Sequence, residues 1–424
     1  MKKRIILAIV SSVSLLLAAC GQEDSTSSQN SSQQEIVSTS QESSEGQSSS
    51  KEEKKEQTEA YYTSDTGSVT KVDAQTHEVV DTIAIDGSAH NVQISPDEKV
   101  IGVTIVPSEG HAEDSSDSNE SMEMEHDEDS DTSMSNESME MGQDEDSDTS
   151  MSNESDDEKG IAAFYDTETG EKLAEVEVGS HPAHIVFTND GNYAAVSNNG
   201  ENTVSVIDVS TYEVVETIPT GEGPHGFRIA EDGKTAYVAN MGEDTVSVLD
   251  LESMEEINRI TVGSTPATTG ITSDGQTLLV TLNGENALAI VDLTTNKVEK
   301  VAVGNGPIQL FVQHDDQYVF VANEGTEENP SNTVSKVDLN SNEVVETIEV
   351  GSGAHGVVIS EDDQYTFVTN AFDDTVSVIE NETSEVIATV EVGETPNGMF
   401  LASRKCKKRQ LKMYADILSF LLAI

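Results

Sequence analysis

Glu222-Gly-Pro-His-Gly opens a stretch that runs through Ala236-Tyr-Val-Ala-Asn240 and Asp244-Thr-Val-Ser-Val-Leu-Asp250 to Ile260-Thr-Val-Gly263, and its 42 residues decide the fold. It holds four short β-rich runs separated by Gly, Asp and Asn turns. Tandem units of about 40–50 residues with four strands each are the pattern of propeller blades. The third run recurs strongly at 203–208, 333–338 and 375–380 and more weakly at 68–73, 161–166 and 287–292. With 245–250 that makes seven copies. Alternating β-branched residues in these runs fit strands of period two. The expectation is an all-β, seven-bladed β-propeller of four-stranded antiparallel blades.

Closure of the ring can be read from the two ends of the repeat array. The first copy begins at its second strand, with no Gly-x-x-Pro segment before Tyr61. The last copy is followed by Glu394-Thr-Pro-Asn-Gly-Met-Phe-Leu-Ala402, a first strand with no unit of its own. Joining the two completes one blade and leaves no open ring edge.

Phe367-Val-Thr-Asn370 and Tyr237-Val-Ala-Asn240, each followed by a Thr-Val-Ser-Val-Ile/Leu strand, carry a resemblance to the YVTN β-propeller repeat family, the YncE-like proteins. The resemblance covers about residues 60–402. Two copies depart from it, with Leu282 and Ile105 where the strand-ending Asn is expected. No Trp occurs, which excludes the Trp-Asp pair of WD40 blades.

Outside the repeats the chain reads differently. Lys2-Lys3-Arg4, a short apolar run from Ile5 to Leu17, and Leu17-Ala-Ala-Cys20 before Gly21 resemble a bacterial lipoprotein signal. The resemblance implies that residues 1–20 are a signal peptide with lipobox, that Cys20 is acylated, and that the mature protein sits lipid-anchored on the extracytoplasmic face of a membrane; the length and composition of 21–59 suggest a Gram-positive one. Residues 21–59 are rich in Ser, Gln and Glu and read as a disordered tether. Residues 403–424 are a basic cluster followed by an apolar run, read either as a second membrane contact or as a stretch altered by frameshift. Cys406 is the one other cysteine, so no disulfide joins folded elements.

The formal net charge is −58, with 80 Asp and Glu against 22 Lys and Arg. That excludes binding nucleic acid through its phosphates. Much of the acid lies in 107–159, which interrupts the second repeat and is expected to be disordered. There a 17-residue unit occurs twice, and six Met accompany His111 and His126. Met122, Met124 and His126 form a Met-x-Met-x-His run. Thioether and imidazole suit Cu(I), so these residues and His111 are candidate loop ligands; a solvated array without a ligand is the other reading.

The turns into the first strands carry histidine at Ser88-Ala-His90, Gly223-Pro-His225 and Gly353-Ala-His355. The first strand of a propeller blade is innermost, so these rings are expected at the channel mouth. Strict alternation along a strand turns His184 away, while His181, earlier in its turn, stays within reach. His90, His225, His355 and His181 are therefore candidate Zn or Cu ligands. The resemblance adds that similar propellers in nitrous-oxide reductase and the haem d1 domain hold metal centres through channel histidines, although their ligand sets do not map onto this chain. The competing reading is that each His caps its turn against the neighbouring blade. The acidic insertion and the extended 324–331 loop are expected on the same face as these turns.

No Ser-His-Asp or Cys-His arrangement and no phosphate-binding Gly loop can be assigned. The expected function is a non-enzymatic, monomeric binding protein that engages a protein, glycan or metal ligand through its top face. A metal-binding protein using the channel histidines is the alternative. A lactonase-like enzyme would need His, Glu and Arg together in the channel, and Arg228 and Arg259 are the only arginines in the repeats.

Overall fold

The computed structural model describes residues 59–107 and 159–402. The signal and Cys20, the tether, the insertion with His111, Met122, Met124 and His126, and the tail lie outside the described residues.

Apart from one short 3-10 turn at Asn283–Glu285, the described elements are strands. Five sheets have four strands each, hydrogen-bonded in chain order and antiparallel. A sixth sheet has six strands and contains both ends of the array. The expectation of seven separate blades is corrected on this point: there are six sheets. The cause lies in two long strands, Ala60–Asp73 and Val79–Ile94. The first pairs through 60–63 with Met399–Ala402 and through 66–72 with the second. The second runs on past Gly87 to pair through 88–94 with Val100–Val106. Gly87 permits this because φ is 121° and a Cβ there would lie 2.7 Å from the Ile105 side chain. What the sequence divides into two repeats is thus one continuous ladder.

Ring closure follows the expected route. Ala60 pairs with Ala402, Tyr61 with Leu401, Tyr62 with Phe400 and Thr63 with Met399. The closing strand is Met399–Ala402, shorter than the expected 394–402. The inner strands neighbour one another in cyclic order: Met399–Ala402, Val79–Ile94, Pro182–Phe187, Pro224–Ile229, Pro266–Ile271, Pro307–Val312, Ala354–Ile359, and back to the first.

The repeated Asn has a definite task. Asn198, Asn240, Asn323 and Asn370 are fully buried at the ends of second strands. Each Nδ2 donates to a Thr and a Ser hydroxyl of the third strand, as Asn240 does to Thr245 and Ser247 at 3.0 Å each. This is why Val246-Ser-Val-Leu249 is buried at every residue rather than on alternate residues: the Ser hydroxyl finds a partner inside the sheet. Where Asn becomes Leu282, the facing residues are Ala287 and Ala289; where it becomes Ile105, they are Ile161 and Ala163. Polar and apolar versions of the same contact change together, so the Thr and Ser hydroxyls occur where an Asn amide is there to meet them.

Packing between neighbouring sheets supplies the core. Phe227 packs with Val186, Ala195, Val204 and Val206 of the preceding sheet, and Tyr61 packs 4.8 Å from Phe367 across the closure. The outer strands are mostly exposed; along Glu213–Pro219 only Ile218 is buried.

Candidate functional site

The inner strands begin with a β-bulge. Register shifts separate Ala89 from Asn91, Pro182 from Ile185, Pro224 from Phe227 and Ala354 from Val357. A bulge puts two residues opposite one and breaks the simple alternation of faces. His184 is therefore not turned away. Its ring lies 5.8 Å from that of His90 and 5.0 Å from that of His225, and the His90 and His225 rings are 5.2 Å apart. One ligand nitrogen from each of the three falls within 4.8 Å of the others. Strict period-two reasoning missed His184; the Pro-Ala-His spacing, one residue longer than Pro-His, was the available signal.

The other candidates sort around this trio. His355 stands one step out, its ring 6.5 Å from that of His90. Its Nε2 lies 3.9 Å from Glu324 Oε1. The expected 324–331 loop is a strand hairpin instead, with Gly325 opposite Pro330 and Thr326 opposite Asn329. His181, expected within reach as a ligand, is not brought to the cluster: it is exposed in a left-handed turn, φ 48°.

The ring orientations follow from hydrogen bonding. His90 Nδ1 is 3.1 Å from the Ala183 carbonyl, His225 Nδ1 3.0 Å from that of Ala267, and His355 Nδ1 2.9 Å from that of Asn397. Ala183, Ala267 and Asn397 are the matching positions of the next unit around the ring, so the turn-capping reading holds in its geometry. A carbonyl only accepts, so Nδ1 carries the proton in His90 and His225, and because burial keeps these two rings neutral each Nε2 keeps its lone pair. Metal-binding histidines commonly have this arrangement, with one nitrogen tied to an oxygen and the other free to ligate. Capping and ligation use different nitrogens of the same ring.

His184 differs from these three. Among the described residues neither of its ring nitrogens has a hydrogen-bond partner, although the residue is 1% exposed. A buried, unsatisfied imidazole marks a place for a missing partner.

All three rings of the trio are neutral at pH 7. Burial pulls His90 down to about 3, helped by the charges of His225 and His355 and opposed by the bond to Ala183. Burial pulls His225 down to about 4. His184 is held well below the ordinary histidine range by burial, then by His225, His90 and Arg228. Neutral imidazoles need lose no proton to bind a cation. Three nitrogens on one Zn²⁺ or copper ion at about 2.0–2.1 Å leave a fourth position open. The nitrogens must close in from their present spacing to reach that geometry.

The sequence profile of the YNCE-like beta-propeller family matches residues 135–317. Among curated proteins no sequence matches. Among solved structures, a functionally unknown protein from Desulfotomaculum acetoxidans aligns with TM-score 0.60 at 14% identity, over 82% of this chain and 99% of that one. A putative 6-phosphogluconolactonase from Bacteroides fragilis aligns with TM-score 0.59 at 13% identity, over 84% and 100%. Hydrazine synthase of Kuenenia stuttgartiensis aligns with TM-score 0.57 at 18% identity, over 77% and 91%. At these identities the similarity is one of fold.

Proposed function

We propose that this chain is a YNCE-like propeller that binds one zinc or copper ion in the mouth of its channel, with His90, His184 and His225 as ligands. The observation that carries the reading is the trio itself: three neutral rings with one nitrogen from each within 4.8 Å of the others, one ring buried with both nitrogens unpartnered. This narrows the broader reading of a non-enzymatic binding protein that works through its top face. Anchoring through an acylated Cys20 on the extracytoplasmic face belongs to the same proposal, supported by the lipobox-like sequence. The 107–159 insertion leaves from beside the site, since Val106 pairs with Ser88, two residues before His90. Its Met and His residues suit it to deliver the ion.

We also read the six-stranded sheet as two blades fused through their long strands, which makes the ring one of seven. The cyclic order of seven inner strands supports this.

A lactonase-like enzyme is the weaker reading. Arg228, Glu324 and the histidines all belong to the channel, but among the described residues no ion pair joins Arg228 to Glu324.

The test is metal content by mass spectrometry on the full chain after exposure to Zn²⁺, Cu²⁺ and Cu⁺ and exhaustive dialysis. One ion per chain is expected, retained without 107–159 and lost in His184→Ala. Retention that His184→Ala leaves untouched would overturn the reading. Cys20→Ala should release the protein from the membrane fraction; continued membrane association would contradict the anchor.

A further inference from the structure

The far end of the channel is built from different chemistry. A cavity of about 350 Å³ opens there, lined by Val186, Phe311, Val358, Met399, Phe400 and Arg228. Arg228 holds the repeat position occupied elsewhere by Gln93, Val186, Gly270, Phe311, Val358 and Phe400. It is the one cation among them. Its Nη1 donates to the Phe227 carbonyl at 3.0 Å. Among the described residues no carboxylate lies within ion-pair distance of it, in a chain with 80 Asp and Glu. Arg259, by contrast, holds Glu243 at 3.1 Å and Glu256 at 2.8 Å.

Arg228 is half-buried, and a partly desolvated charge without a counter-ion is costly. A guanidinium has five N–H donors in a planar fork suited to a carboxylate, and Arg228 uses one of them on the backbone. Burial lowers its pKa to about 10, which leaves it cationic at neutral pH. Three titratable groups share the cavity wall: Glu98, His314 and Glu361. His314 Nδ1 is held 2.8 Å from Asp363, and its Nε2 lies 4.0 Å from Glu361. The two glutamates disfavour a multivalent anion beside Arg228, and the Val and Phe walls favour hydrocarbon.

We propose that this cavity binds a small monocarboxylate with an apolar body, the carboxylate on the Arg228 guanidinium and the hydrocarbon against Val186, Phe311, Val358 and Phe400. The volume lies within the range of small-molecule pockets, about 300–1,000 Å³. The site is independent of the metal reading: a chain that binds no metal can still hold the acid.

The experiment is isothermal titration of hexanoate into the full chain, with hexan-1-ol and inorganic phosphate as comparisons, on wild type, Arg228→Gln and Arg228→Lys. Hexanoate should bind one to one. Arg228→Gln should weaken it at least tenfold, the scale expected for a charge-assisted hydrogen bond, and Arg228→Lys should weaken it less. Hexan-1-ol should bind at least tenfold more weakly than hexanoate, and phosphate should not compete. Absence of saturable hexanoate binding, equal binding of hexan-1-ol, tighter binding of phosphate, or unchanged affinity in Arg228→Gln would each overturn the proposal. Should Arg228→Gln fail to fold, the lysine variant and the alcohol decide between the outcomes.

Discussion

His225 and Arg228 sit three residues apart on one strand, Pro224–Ile229, at opposite ends of the channel, and burial acts on both in the same direction with opposite results. His225 falls to about 4 and gives up its charge; Arg228 falls to about 10 and keeps it. The starting values decide this, because imidazole begins near 6.5 and guanidinium above 12. One desolvated tube can therefore present a neutral nitrogen donor at its mouth and a fixed cation at its base. The lesson is that a propeller strand sets chemistry residue by residue while its backbone ladder stays the same.

The sharpest way to break the comparison is to remove the mouth alone. His184→Ala together with His225→Ala should reduce metal affinity at least 100-fold and leave hexanoate binding unchanged, as metal titration and calorimetry would record. Loss of both bindings would mean that the two ends are not separate sites.

Next in size is the scaffold shared by both ends. Asn240→Leu leaves the Thr245 and Ser247 hydroxyls without their amide and should cost about 2–3 kcal/mol in chemical denaturation. Adding Thr245→Ala and Ser247→Ala should restore most of it, since the unit then resembles the one with Leu282, Ala287 and Ala289. No recovery would refute the account of the Asn contact.

Acid should act on the mouth through its buried rings. His184 and His225 are neutral when folded, with pKa values below the ordinary 6.5. Below about pH 6.5 the unfolded chain binds more protons, so metal-free stability falls as pH drops from there toward about 4. By pH 5 the His225 ring should contribute a loss of about 2 kcal/mol. Denaturation at pH 7 and pH 5 checks this: the loss should shrink in the double histidine variant, and an equal loss there would assign it to other groups.

The smallest expected effect couples the two ends. The Arg228 charge is felt at His184. Arg228→Gln should thus raise metal affinity by about two- to fivefold, an increment on the scale of a screened charge pair. A decrease would contradict the separation of the two sites.

Much of this architecture was legible in the sequence. The Asn and Thr-x-Ser residues that give the repeat its signature are the ones that bond across the sheet. The orphan strand before Ala402 pairs where the missing first strand required it. The turn positions of His90, His225 and His355 were also readable, because a regular repeat fixes which residues open the inner strands. His184 was not, because a bulge is a local two-against-one register that period-two reasoning overrides. Nor was the fused sheet, which depends on Gly67 and Gly87 letting two strands change partner without stopping. Glu324 reaches His355 from a hairpin where the sequence pattern gave only a long loop. Arg228 drew notice as a rare arginine, but its isolation from carboxylates is a matter of three-dimensional neighbours.

The central claim is that the channel histidines, and not the Met-rich insertion, hold the metal. X-ray absorption at the copper or zinc edge of the loaded full chain tests it most directly. The account predicts three imidazole nitrogens at about 2.0 Å and no sulfur scatterer. Sulfur in the first shell, or a shell of oxygen alone, would contradict it.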